Sequence, residues 1–265
     1  MQALLTRLPP AAASHSGETG QPPESAKLFP FPQPGHLHEA IPASPGDEAK
    51  AAAFLAGIAR QLSPPGGVLL WIEEEGFEHG ELYAPGLASF GIEPAHVIFV
   101  RARKRMDALW AAEQGLKRQG TIVLLELSAR GKALDLTLTR RLALAAKADG
   151  STALLLRGDL VHAPRTPSAA WTRWQIARAP ARNPHVGELS ALALTATLSR
   201  HRERPAGQRF FMEWISDERA FHIEALGSDL AAPADDGSDQ ASGEKGVVRP
   251  RNLQPGGLGL SHHRG

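Results

Sequence analysis

The residues with the clearest chemical meaning form the segment IPASPGDE, residues 41–48, between the short run HLHEA and a strong helical pattern. In nucleotide-binding α/β proteins, a glycine loop at such a place brings backbone N–H groups to phosphate. A Lys then contacts the β- and γ-phosphates, and a Ser or Thr hydroxyl binds Mg²⁺. Here Gly46 retains a glycine, but Asp47 and Glu48 stand where the Lys and the Ser or Thr would be.

Two carboxylates in this loop would oppose a triphosphate. With roughly three to four negative charges on the ligand and an effective dielectric near ~20, the repulsion is on the order of several kcal/mol. Pro45 also removes one N–H donor. In a second interpretation the loop never bound phosphate, and Asp47 and Glu48 are first-turn acids favoured by the helix dipole. Both interpretations predict no ATP binding, no catalytic residue, no cofactor and no metal.

A second set of candidate residues is basic and lies near the ends of predicted strands. Ligands gather at the carboxyl ends of strands in open α/β sheets, so a basic rim there could meet DNA phosphates or an acidic partner. The alternative is an ordinary solvated polar face. The candidates are Arg101, Arg103, Lys104, Arg105, Arg130, Lys132 and Arg157.

Trp171, Arg173 and Trp174 form a third candidate, since tryptophan and arginine are frequent in interface hot spots. They lie at a predicted helix-to-strand junction, and at least one of the two tryptophans is expected in the core. The carboxylates Glu73–Glu75 and Glu126, with His38, lack a spaced ligand motif, so no metal site is predicted from them.

The elements that position these residues alternate between apolar strands and helices, several of which end at a glycine. This alternation predicts an α/β fold with a mostly parallel sheet and helices on both faces. The predicted helices are Ala49–Leu62, Leu82–Phe90, Arg105–Gln119 and Leu134–Asp149. The predicted strands are Val68–Ile72, His96–Val100, Ile122–Leu127 and Thr152–Leu156.

The pattern changes after this region to alternating or short apolar runs, at Leu192–Arg200, Gln208–Ile215 and Ala220–Leu226. Separated by turn residues, they predict an antiparallel β-meander at the end of the sheet or beside it. The predicted organisation is a flexible leader at 1–34, a core at 35–180, the meander at 185–227 and a disordered tail at 228–265.

Composition excludes several classes of protein. The chain has 265 residues and a net charge of +1, so any binding to nucleic acid or membrane must come from a local patch. No apolar run approaches the ~20 residues of a spanning helix. The absence of cysteine excludes disulfides and thiolate metal sites and predicts a cytoplasmic protein.

The order of segments from His36 to Ala177 resembles the RecA recombinase core and, more closely, the ImuA family of RecA-like damage-inducible mutagenesis proteins. The resemblance is carried by HLHEA, VLLWIEEE, ELYAPGLASFGIEPAHVIFVRAR, MDALWAAEQGLKRQG, LDLTLTRRLALAAKADGSTALLL and SAAWTRWQIARAP. It covers a little over half of the chain and identifies the segment at 41–48 as a degenerate phosphate loop of the P-loop NTPase fold.

The resemblance also implies that this chain differs from RecA at other functional positions. Glu126 stands for the Mg²⁺-associated Asp, Glu75 lies nearest the catalytic glutamate, and Arg157 replaces the switch glutamine. The two DNA-contacting loops correspond to the segments after Leu127 and Leu156. ATP-driven filament formation and strand exchange are therefore not expected, and residual hydrolysis through Glu75 and Glu126 is the least favoured function.

For function, the resemblance implies a non-catalytic accessory role in the SOS response. The implied partners in translesion synthesis are an ImuB-type Y-family-like protein and a DnaE-type error-prone polymerase, acting through protein–protein interaction. The alternative is a DNA-binding or RecA-interacting regulator of the DNA damage response that uses the basic rim.

Overall fold

The computed structural model describes residues 29–64, 66–76, 82–130, 134–160, 162–181 and 192–228. Most of the predicted leader, the predicted tail beyond residue 228, and the candidate Lys132 lie outside these ranges.

A single nine-stranded sheet forms the frame of the described chain, in the order β3-β2-β4-β5-β1-β6-β7-β8-β9. Strands β1 to β6 pair in parallel, and β6 to β9 pair antiparallel. The strands are β1 (Leu37–Pro42), β2 (Leu69–Glu74), β3 (Val97–Ala102), β4 (Ile122–Leu127), β5 (Thr152–Arg157), β6 (Thr172–Arg178), β7 (Ala193–His201), β8 (Gln208–Ile215) and β9 (Ala220–Ser228).

Four helices flank the parallel strands. They are α1 (Glu48–Leu62), α2 (Ala84–Ser89), α3 (Arg105–Leu116) and α4 (Leu136–Asp149), with a short 3-10 turn at Pro94–His96. The ends of α4 show why the sequence starts and stops helices where it does. The Asp135 carboxylate accepts a hydrogen bond from the Leu138 N–H at 2.9 Å, and Gly150 ends the helix with a left-handed φ of 63°.

Two apolar cores lie on opposite faces of the sheet. On one face, α1 and α2 pack with an aromatic cluster that includes Phe54, Trp174 and Phe210. On the other, α3 and α4 cover the central strands through Leu109, Leu142 and their neighbours. Every residue of β4 and β5 is buried, as expected for strands covered on both faces.

The predicted fold class is confirmed: a mostly parallel sheet with flanking helices is followed by an antiparallel meander. The meander strands β7 to β9 continue the same sheet through β6. No helix in the described ranges is long and apolar enough to cross a membrane.

One expectation about strand burial is wrong. The apolar run at β3 predicts a strand covered on both faces, yet β3 is the end strand of the sheet, with Ile98 54% and Phe99 40% exposed. Val97 and Val100, on opposite faces of β3, are partly buried against the two cores, which accounts for part of the apolar run.

Candidate functional site

The segment predicted to be a degenerate phosphate loop connects β1 to α1, at the carboxyl end of a central strand. Gly46 has a φ of 89°, which a glycine adopts without strain. Asp47 precedes the first residue of α1, and its side chain is buried, with only 2% of the residue exposed. The loop therefore has the position expected from the sequence.

The expectation that both acids of this loop face a phosphate is wrong for Asp47. Its carboxylate turns toward β6, where Oδ1 accepts a hydrogen bond from the Arg178 backbone N–H at 3.2 Å. The same oxygen lies 3.1 Å from Nε of the Arg178 side chain. The charge of Asp47 is therefore balanced by Arg178, and simple repulsion by Asp47 is not what distinguishes this loop.

The Glu48 carboxylate accepts a hydrogen bond from a backbone N–H of this loop. Its Oε2 accepts a hydrogen bond from the Gly46 N–H at 2.7 Å, and Nη2 of Arg178 donates to the Pro45 carbonyl at 3.2 Å. The side chains of Glu48 and Arg178 thus both bond to the backbone of the loop. In a phosphate-binding loop the glycine N–H would donate to the ligand, but here it donates to the Glu48 carboxylate.

A buried ionic cluster surrounds Glu39, in the middle of β1, the strand that leads into this loop. The fully buried Glu39 carboxylate accepts hydrogen bonds from Arg173 Nε at 2.7 Å and from the Ser168 hydroxyl at 2.6 Å. Arg157 Nη1 lies 3.8 Å from the same carboxylate. Burial lowers the pKa of the Arg157 guanidinium, and Glu39 acts in the opposite direction. This cluster joins β1, β5 and β6 in the core.

Burial corrects the expected placement of two candidates: Arg157 of the basic rim and Arg173 of the tryptophan–arginine cluster are only 2% and 6% exposed. Trp174 is fully buried, in agreement with the expectation that at least one of the two tryptophans lies in the core. Trp171 is half-buried and directly precedes β6, with the backbone N–H bonded to the Leu37 carbonyl at 2.7 Å. It is therefore at the amino end of the parallel strands, away from the end of β3.

Arg105 also has a structural role. Its guanidinium donates to Glu74 Oε2 from Nε at 3.2 Å and from Nη2 at 2.9 Å, and to the Ser128 carbonyl at 2.7 Å. The same Glu74 oxygen accepts from the Ser128 N–H at 2.9 Å. Arg105 thus ties the start of α3 to the ends of β2 and β4.

The remaining members of the expected rim are exposed. Arg101, with its side chain 44% exposed, pairs with Glu73 at 3.2 Å, and its guanidinium lies 5.8 Å from the Phe99 ring. Arg103, Lys104 and Arg130 are also exposed. The structure thus brings four of the predicted basic residues to the surface near the ends of β3 and β4.

The other polar candidates do not assemble into a catalytic or metal centre within the described ranges. Glu126 is fully buried in β4, whereas Glu75 is exposed after β2. His38 is buried between Thr172 and the Gln33 carbonyl, with both ring nitrogens at 2.8 Å from their partners. No group of three or more potential metal ligands occurs in the part of the chain that the structure describes.

An apolar surface that sequence reasoning missed lies at the β3 end of the sheet. Ile98 and Phe99 are exposed on opposite faces of β3, and Met106 and Trp110 on α3 are 56% and 64% exposed. Helix α3 packs on β3, β2 and β4, the three strands at this end of the sheet. Met106 and Trp110 are four residues apart, a spacing that could have marked an apolar side of α3. We call these four residues the edge surface.

Strand order, flanking helices and the position of the loop before α1 define an α/β protein of the RecA-like class. Protein ImuA from two strains of Caulobacter vibrioides is 35% identical to the chain over 160 residues, which is 57% of this chain and 63% of the ImuA chain. The resemblance to the ImuA family is confirmed by this identity, and the chain is a relative of ImuA. It spans less than two thirds of the length of these relatives.

A crystal structure of the RadB recombinase is also similar, with a TM-score of 0.48 and 13% identity, over 71% of this chain and 90% of that one. No family model matches the chain.

Proposed function

We propose that this protein is a non-catalytic, cytoplasmic accessory factor of SOS-induced error-prone translesion DNA synthesis. It acts by protein–protein interaction with an ImuB-type Y-family-like protein and a DnaE-type polymerase. The relationship to ImuA supports the link to damage-inducible mutagenesis, and the partners follow from the family resemblance.

The observation that carries the interaction role is the edge surface. A terminal strand exposes unpaired backbone groups and invites pairing with another chain, and Phe99 and Ile98 add apolar contacts on its two faces. Trp110, exposed by 64%, is the residue type that most often dominates binding energy in interfaces. A partner segment covering this surface would remove a large aromatic side chain from water.

A non-catalytic role is supported by the loop before α1, because its residues do not fit a triphosphate. Glu48 accepts the Gly46 N–H, Arg178 is paired with Asp47, and Pro45 has no N–H to donate. The loop carries no lysine where nucleotide-binding proteins use one. We therefore assign no step to a bound nucleotide or to Mg²⁺.

Affinity capture from DNA-damaged cells tests the proposal. The tagged full chain should retain a Y-family-like protein and a DnaE-type polymerase, and the pair of substitutions Phe99→Asp and Trp110→Ala should lower their recovery at least about tenfold, since interface hot spots contribute ~2 kcal/mol or more. Leu226→Ala, at another exposed apolar residue, is the matched control and should leave recovery unchanged. Capture of neither protein by the unaltered chain would contradict the assignment.

The second candidate function, a DNA-binding or RecA-interacting regulator, is favoured by the exposed basic residues near the ends of β3 and β4. Under that function, Arg101→Glu, Arg103→Glu and Lys104→Glu together should abolish salt-sensitive retention on DNA cellulose. Under the accessory function, the triple variant should still capture the polymerase partners. Arg118→Glu, at an exposed residue just beyond α3, is the control for a charge reversal outside this group and should leave retention on DNA nearly unchanged.

A further inference from the structure

A groove of about 390 Å³ runs beside α4, on the side of the helix that does not contact α3. Its walls are α4, the segment that leads into β6, and the turn after β7. It is separate from the edge surface and from the loop before α1. We call it the α4 groove; it is lined by His36, Leu37, Leu136, Arg140, Ala143, Leu144, Lys147, Ser168, Ala169, Trp171, Arg200 and Arg202.

Four cations surround this groove. Arg140 and Lys147 extend from α4, while Arg200 and Arg202 donate to the backbone carbonyls of Ser168 and Ala169 on the facing wall. Among the described residues, no carboxylate lies within ion-pair distance of any of the four. Within the described ranges, their charges are therefore not balanced by an ion pair.

The pKa of His36 reports the same positive field. Burial lowers it most, and Lys147 and Arg202 lower it further, whereas the Glu203 carboxylate acts in the opposite direction. Glu203 is exposed at the turn after β7 and is the acid that acts on this histidine. An acidic group entering the groove would meet cations from both walls.

The surface between these cations is apolar and aliphatic. Leu136 and Leu144 are 47% and 57% exposed on α4, and Ala143 and Ala169 lie between the cationic walls. Each leucine leaves apolar area in water that a ligand side chain could cover, with a gain of roughly 25 cal/mol per Å². A site that bound its ligand by charge alone would not require exposed leucines.

The aromatic ring of the groove is already engaged. Trp171 stacks on His36, with ring centroids 4.1 Å apart and an interplanar angle of 12°, and the Arg202 guanidinium lies 5.7 Å from the same ring. Single-stranded nucleic acid binds by stacking bases on free aromatic faces. Leucines beside cations instead suit a polypeptide with carboxylates and apolar side chains.

We propose that the α4 groove is a docking site for an acidic partner segment that carries aliphatic or aromatic anchors. The carboxylates of the segment pair with Arg140, Lys147, Arg200 and Arg202, and its apolar side chains cover Leu136 and Leu144. The site is independent of the edge surface and does not rest on the function proposed above.

Fluorescence anisotropy with the full chain tests this site with three labelled probes of equal length. They are a peptide that combines Asp and Glu with Leu and Phe, a polyglutamate peptide, and a thymidine oligonucleotide. The mixed peptide should bind at least about tenfold more tightly than either of the others, because only it uses both charge and apolar area. Its affinity should fall as salt concentration rises.

Two variants separate the contributions. Leu144→Asp and Arg140→Glu should each weaken the mixed peptide at least about tenfold. Arg118→Glu and Trp110→Ala should leave its affinity unchanged. Since all four side chains are exposed, circular dichroism should confirm that the variants are folded. Equal binding of polyglutamate, tighter binding of the oligonucleotide, or full affinity of Leu144→Asp would each overturn the proposal.

The same variants keep this site distinct from the accessory function. Leu144→Asp should retain polymerase capture from damaged cells if that capture depends on the edge surface alone. Loss of peptide binding with normal capture would support both assignments. Normal peptide binding by Leu144→Asp would overturn the groove assignment, whatever the capture result.

Discussion

Glu39 shows how much a single side chain can determine in this fold. It is a fully buried carboxylate in a central strand, and its ion pairs with Arg173 and Arg157 hold three strands together. A buried charge without its partner is strongly unfavourable. Removing Glu39 should therefore cost more stability than the ion pairs themselves contribute, because both arginines would stay buried without a counter-charge.

Glu39→Gln should therefore lower the free energy of unfolding by about 3 kcal/mol, since it leaves the Arg173 and Arg157 charges uncompensated in the core. Urea denaturation followed by tryptophan fluorescence measures this change. Glu93→Gln is the control, because the Glu93 side chain is 69% exposed and its ion pair is with His96, which is also exposed. A loss for Glu39→Gln no larger than for Glu93→Gln would contradict the role given to the cluster.

His38 is paired across the sheet with Thr172, the residue before Arg173, and is kept neutral by its surroundings. Burial lowers its pKa from 6.5 to about 4. The Gln33 carbonyl accepts from Nε2, so Nδ1 accepts from the Thr172 hydroxyl, whose oxygen accepts in turn from the Trp174 ring N–H. This chain of hydrogen bonds requires an unprotonated imidazole.

A lowered histidine pKa makes stability pH-dependent in one direction. Stability from neutral His38 is fully present above pH 6.5 and is lost as the pH falls toward about 4, because the unfolded state then binds the proton more readily. We expect the unaltered protein to lose on the order of 3 kcal/mol more over this range than His38→Asn. Parallel urea titrations measure the difference, and identical pH slopes would contradict it.

At the scale of elements, the interior strands are the part of the fold that sequence reasoning predicts best. The bounds of β4 and β5 are predicted to within one residue, because strands buried on both faces have continuous apolar sequences. For β1 the sequence shows only the short run HLHEA, and for β6 only a helix-to-strand junction. The buried polar residues His38, Glu39 and Arg173 interrupt the apolar pattern of these two strands. They can be buried because residues of β1 and residues of β6 lie side by side and bond to each other.

Helix α1 is held against the far end of the sheet by a close contact that only a glycine permits. A Cβ at Gly57 would lie 2.3 Å from Cε2 of Phe221 on β9. The glycine in the middle of α1 therefore allows the helix to approach β9 closely. The sequence of α1 alone does not reveal this contact.

Gly57→Ala should lower the unfolding free energy by about 1–3 kcal/mol, because overpacking outweighs the gain in helix propensity. Thermal denaturation measures the effect. Gly86→Ala in α2 is the matched control, since a Cβ there would find its nearest neighbour, Tyr83, at 3.6 Å. A Gly57→Ala variant as stable as Gly86→Ala would contradict the packing of α1 on β9.

Across the whole molecule, one sheet positions the edge surface, the α4 groove and the loop before α1, and we propose that this loop takes no part in chemistry. The sequence located that loop, but it could not show that Asp47 pairs with Arg178, because the two residues are 131 positions apart. The same limit applies to Arg157 of the expected rim and to Arg173 of the tryptophan–arginine candidate, which both point inward to Glu39. Long-range pairing of charges decides which basic residues reach solvent, and composition does not reveal it.

Calorimetric titration of the full chain with ATP and Mg²⁺ tests the central claim that this molecule recognises partners and does not bind nucleotide at the loop. We predict no saturable binding up to millimolar ATP, because the Gly46 N–H is taken by Glu48 and no lysine grips the phosphates. Glu48→Ala frees that N–H and should still not restore affinity. Micromolar binding by the unaltered chain, retained in Glu48→Ala, would contradict the account.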